Sequence, residues 1–100
     1  MSTSTVELAD SFAKDVRLSG DTLSLDLADG RTVSVPLDWY PRLLHATEEE
    51  RGNWRLLGQG MGIHWPDLDE DISVEGILLG KPSGESQASF QKWLSSRKSL

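Results

Sequence analysis

The chain has 100 residues, no cysteine, and 16 acidic against 10 basic side chains, for a net charge of −6. Disulfides, thiolate metal sites and cysteine nucleophiles are excluded, and four tryptophans beside a 26% charged fraction do not describe a disordered chain. The acidic balance opposes binding to nucleic-acid phosphates, no apolar run approaches the roughly 20 residues of a membrane span, and the start MSTSTVELAD lacks a signal peptide's basic and apolar segments. The expectation is therefore a soluble cytoplasmic protein.

Residues 1–13 are Ser/Thr-rich without sustained periodicity and read as a loose lead-in to a single α+β domain over residues 14–100. Val16 and Leu18 alternate with polar residues, as do Leu23, Leu25 and Leu27 after the Gly20-Asp21 turn. Asp29-Gly30 reads as a two-residue hairpin turn, followed by Val33 and Val35 in a third strand that Pro36 ends. A three-strand antiparallel meander is expected.

Leu37–Ala46 reads as a helix, with Asp38 as its cap and Pro41 in its first turn, where the missing N–H costs least. Thr47-Glu48-Glu49-Glu50 has the spacing of a capping box opening a short second helix. Two further strands, Trp54–Leu57 and Gly62–Trp65, turn Trp54 with Leu56, and Ile63 with Trp65, to one side; His64 falls on the other. Leu68–Ile72 reads as an acidic loop in which Asp69 and Asp71 cap amides ahead of a short helix opened by Ser73 and closed by Gly80. After the linker KPSGE, Phe90, Trp93 and Leu94 share helical spacing in an amphipathic helix over about residues 86–98. The expected architecture is an antiparallel sheet (the meander, a helix, then the two further strands) with short helices packed on one face. Trp39, Trp54 and Trp65 are the expected core aromatics.

Charge is unevenly distributed. Residues 61–80 hold five acids and no base, whereas residues 81–100 hold four bases against Glu85. An acidic body thus ends in a basic tail, which either folds back on that body, is solvated, or faces a partner.

No catalytic set stands out. His64 is a candidate general base oriented by Asp67 or Asp69, the basis of an alternative reading as a small hydrolase or metal-dependent enzyme, but no nucleophile accompanies it at a recognisable spacing. Counted from Asp67, a calcium loop would need Gly at Ile72 and a bidentate Glu at Leu78, so the run Asp67–Asp71 is not an EF-hand. Gly58, Gly60 and Gly62 enter a strand, with no lysine, and are not a phosphate loop. No cofactor or metal is expected. Binding candidates are the aromatic-basic cluster Trp39, Tyr40 and Arg42, the pair His64 and Asp67, and Phe90 with Trp93 on the terminal helix. That helix is too short to be stable alone, so it docks on its own body or on a second copy.

The run LDWYPRLLHATEEERGNWRLLGQGMGIHWPDLDEDISVEGILLG, from Leu37 to Gly80, resembles the domain of unknown function 2442 family, with GIHWP-x-LDEDIS its most specific part. The preceding meander and the tail ESQASFQKWLSSR fit the same resemblance. It implies a small bacterial α+β protein without an established activity, and an accessory or regulatory module more than an enzyme. Some family members carry a helix-turn-helix domain. The 20 residues after Gly80 cannot hold one, so DNA binding is not implied here. The resulting expectation is a non-catalytic, antitoxin-like or regulatory interaction module that binds a small basic protein and forms a homodimer to which the tail contributes.

Overall fold

A computed structural model describes residues 12–98, so all of the expected lead-in except Phe12 and Ala13 lies outside the described residues. Strands β1 (Ala13–Ser19), β2 (Thr22–Leu27) and β3 (Thr32–Pro36) form the expected antiparallel meander. Alternation along β2 sends Leu23, Leu25 and Leu27 into the core and Ser24 and Asp26 outward. On the outer face Arg17 and Thr32 both donate to the Asp26 carboxylate. A bulge at Lys14 resets the register of β1, so Ala13 and Val16, three residues apart, both turn inward. The second hairpin is longer than expected: Leu27 N–H donates to Arg31 O across a loop of residues 28–31, and Asp29 Oδ1 holds Arg31 N–H.

The segment expected as one helix is two pieces. A 3-10 turn covers Leu37–Trp39, and α1 covers Pro41–Leu44. Between them Tyr40 takes φ −132° and ψ 82°, because the ring of a following proline disfavours helical backbone in the residue before it. Asp38 consequently caps nothing and sits inside the 3-10 turn. The capping box forms as expected at α2 (Glu48–Gly52): Thr47 Oγ1 accepts from Glu50 N–H and Glu50 Oε1 accepts from Thr47 N–H.

The larger departure lies in the acidic stretch. Strands β4 (Arg55–Leu57) and β5 (Gly62–Trp65) are joined by a third, β6 (Glu70–Ser73), and form a second antiparallel sheet separate from the first. The residues expected to be an acidic loop thus supply an edge strand, reached through a turn in which Asp69 adopts φ +50°. Asp69 and Asp71 do not cap the next helix. Ser73 Oγ alone accepts from Gly76 N–H at the start of α3 (Val74–Leu78). The terminal helix, α4 (Gln87–Lys98), follows a strap over residues 79–86.

One glycine sets how the two sheets meet. Gly60, at φ +105° in the 3-10 turn between β4 and β5, lies so close to β1 that an added Cβ would fall 2.3 Å from Ala13 O. Only a residue without a side chain fits that contact. Beneath it the core collects Leu23, Leu25, Leu37, Leu43, Ile63, Leu68 and Trp65. Trp65 is wholly buried and donates its Nε1–H to Arg51 O at 3.0 Å. Its burial alone is worth about 5 kcal/mol gross. Trp39 and Trp54 are only partly buried, packed against the rim of this core.

Candidate functional site

Most of the binding candidates converge where the strap and α4 dock on the body. Pro41 starts α1 and places Arg42 on its outer side while Leu43 points into the core. Arg42 Nε donates to both Glu85 oxygens at 3.0 and 3.1 Å, and Nη2 to Oε2 at 2.6 Å. Its Nη1 donates to Leu68 O at 2.7 Å, tying the turn before β6 to the same guanidinium. Arg42 holds the Glu85 carboxyl below the usual carboxylate range, helped by a hydrogen bond from Ser89. Two further contacts fix the strap: Ser83 N–H donates to Trp39 O at 2.9 Å, and the buried Tyr40 hydroxyl donates to Lys81 O at 3.2 Å. Burial, with the Glu70 carboxyl nearby, pushes the Tyr40 phenol up to about 12.

The helix itself is held by aromatic and charged groups. Phe90 is buried and its ring centroid lies 5.4 Å from that of His45. Trp93 packs against the core between two guanidinium groups, Arg42 at 5.2 Å and Arg97 at 4.6 Å from its ring centroid. Arg97 in turn makes a two-pronged contact with Glu50, at 2.8 and 2.9 Å, and this holds the Glu50 carboxyl down at about 2. Glu50 therefore serves twice, in the capping box and in the helix dock. So α4 packs on its own body, one of the two expected alternatives.

Glu70 is the residue that sequence reasoning missed. It stands opposite Trp65 in the β5–β6 register, on the side of the sheet that faces the core. Its carboxyl is half-buried and receives no hydrogen bond from the described residues. Desolvation pushes it up to about 7 against the opposing field of Arg42, with Glu85, Asp71 and Asp69 adding to the rise. An open crevice of about 380 Å³ is shared by Glu70, Arg42, Asp69, Ser83, Glu85 and Ser89. An acid at an inward strand position breaks the alternation that would have revealed β6, so the site and the strand were hidden by the same residue.

His64 and Asp67 lie elsewhere, on and beside the outer face of the second sheet. His64 Nδ1 contacts neither Asp67 nor Asp69, but Asp71 Oδ1 at 2.5 Å, its cross-strand partner on β6. Asp67 accepts from Asn53 Nδ2 at 3.0 Å, and Asp69 occupies the tip of the turn. The row across the sheet is Arg55, His64, Asp71, with Leu57, Gly62 and Ser73 in the next row. Asp71 is 67% exposed, and the Ser73 hydroxyl is engaged in capping. Among the described residues no group of three or more His, Asp or Glu side chains is arranged to hold a metal ion. The same face carries an apolar element that alternation announced, since Leu56 inward requires Leu57 outward. Leu57 is 41% exposed, and Met61, at the adjoining tip, is 59% exposed.

The family model for a protein of unknown function, DUF2442, matches residues 13–83. The chain belongs to this family. The match spans both sheets and the start of the strap and stops before α4. A solved structure of a protein of unknown function from Rhodospirillum rubrum is 28% identical, with a TM-score of 0.66 over 79% of this chain and 95% of that one. An uncharacterised protein from Chromobacterium violaceum shares the fold at 22% identity, with a TM-score of 0.66 over 93% of this chain and 82% of its own. No curated protein shows significant similarity. Among the described residues no helix is long and apolar enough to cross a membrane.

Proposed function

We propose that this DUF2442 protein is a non-catalytic interaction module that binds a small basic protein through the outer face of its second sheet. The observation that carries this reading is Leu57, a large apolar side chain left open on the face of the polar row Arg55, His64 and Asp71, with the exposed Met61 in the turn between β4 and β5. An apolar centre with a polar rim is the anatomy of a protein interface. The partner's charge follows from the flanks: Asp67, Asp69, Asp71 and Glu75 are exposed, and residues 61–80 contain no base. The enzymatic alternative has less support, because the His64–Asp71 pair sits on an open sheet face where no free nucleophile adjoins it among the described residues.

The test is affinity capture from the native host with the wild-type chain and the Leu57→Asp variant, at low and raised salt. A basic protein retained by the wild type, reduced by salt and lost with Leu57→Asp, is the expected result. Equal recovery by both forms refutes the assignment of this face. Self-association is part of the same proposal. The strap lets α4 exchange between two copies without changing its contacts, a low-cost route to a homodimer.

A further inference from the structure

At the strap end of the α4 dock, one guanidinium, Arg42, shares a crevice with two glutamate carboxylates, Glu85 and Glu70. Arg42 is committed to Glu85, the anchor of the strap, while Glu70 lies in the same crevice with no hydrogen bond from the described residues. We propose that Glu70 is a proton-operated release for α4: protonated, it leaves Arg42 to Glu85 and the helix stays docked; ionised, it competes for Arg42, repels Glu85 and loosens the strap. This goes beyond the partner-binding reading and does not depend on it.

The charges around Glu70 all bear on the sign. From α1 come Arg42 and, just before it, Tyr40, whose hydroxyl is occupied by Lys81 O. From the strap come Glu85 and Lys81, and from Glu70's own strand and turn come Asp71 and Asp69. Among these carboxylates only Glu85 is paired with Arg42. A fresh negative charge at Glu70 therefore joins three others, and the one it opposes most directly is the strap anchor. Undocking opens the crevice to water, which favours the ionised form of Glu70. The docked state thus takes up a proton relative to the undocked one, and rising pH through neutrality favours release. Among the described residues the contacts holding α4 suit a reversible dock: Arg42–Glu85, Arg97–Glu50, the buried Phe90 ring and the partly buried Trp93 ring. The family match, moreover, ends before this helix.

The experiment is amide hydrogen exchange of the full chain between pH 6 and 8, with intrinsic exchange rates divided out. Amides of β2 serve as the internal reference for global folding. In the wild type the opening constant of α4 should rise about tenfold over this range, as follows for a carboxyl held near 7 when docked and returned to its ordinary value when undocked. Glu70→Gln should hold α4 closed at both pH values, and Glu85→Gln should leave it open already at pH 6, both with β2 protected. A flat wild-type profile overturns the proposal. So does a Glu70→Gln chain that keeps the tenfold rise, which would place the titrating group elsewhere. An α4 that stays fully protected in Glu85→Gln overturns the role of the anchor.

Discussion

Replacing Arg42 by methionine should detach the terminal helix while leaving both sheets folded. Methionine keeps much of the aliphatic volume but removes four hydrogen bonds, three to Glu85 and one to Leu68 O. Deleting one member of a fully buried ion pair costs about 3–5 kcal/mol, because its partner is left uncompensated. Here the two side chains retain 16% and 14% exposure, so water partly rescues Glu85 and the cost falls to about 2 kcal/mol. Loss of the guanidinium over Trp93 adds roughly 0.5–1 kcal/mol. The sum corresponds to an increase of about 70–160-fold in the opening of α4. Hydrogen exchange resolved by segment measures it directly, since the amides of α4 should lose protection while those of β2 keep theirs. Tryptophan emission should shift to the red at the same time, as Trp93 enters water. An opening constant changed by less than about threefold would refute this ledger, and equal loss of protection in β2 and α4 would refute the separation of dock from core.

Other substitutions test the frame around this dock. Gly60→Ala forces a Cβ against Ala13 O at a backbone angle that suits glycine, and should cost about 3 kcal/mol or more, lowering the thermal midpoint by at least about 10 °C. Thr47→Ala removes half of the capping box and should cost about 1 kcal/mol in urea unfolding. The raised Glu70 carboxyl makes the native state hold a proton between about pH 4.5 and 7 that the unfolded chain has released, so stability falls as pH rises through that window. The full shift would be worth about 3 kcal/mol, residual exposure reduces it to roughly 1–2, and the decline should vanish in Glu70→Gln. Light scattering should give a dimer for the full chain and a monomer once residues 86–100 are removed; a monomer in both cases would remove self-association from the account.

The first sheet was readable because its leucines and valines keep strict alternation and its turns carry glycine. The capping box and the Ser73 cap were readable for a similar reason, as short local motifs whose partners lie three residues away. The split at Tyr40 was implicit in Pro41, yet the apolar spacing of Trp39, Leu43 and Ala46 argued for one helix and outweighed it. What could not be read was β6. Glu70 occupies an inward position and Asp71 the outward one, so Ile72 is the strand's only buried apolar side chain and no alternation remains. Everything that depends on β6 was lost with it, including the pairing of His64 with Asp71 and the separation of the two sheets. Arg42, Phe90 and Trp93 were recognised by residue type, but the carboxylate partner of Arg42 lies 43 positions away, and that of Arg97, which covers Trp93, lies 47 positions away. Such pairings follow from the fold and not from spacing.

Oxidation of Met61 reports directly on whether a partner covers the outer face of the second sheet. Met61 is 59% exposed in the turn between β4 and β5, and the only other methionine is Met1. Its rate of oxidation by dilute peroxide can be followed by mass spectrometry in the free chain and in the complex recovered from the host. Oxidation of Met61 should slow at least about tenfold in the complex, since access governs the reaction. A stable complex in which Met61 oxidises as fast as in the free chain would contradict binding at this face.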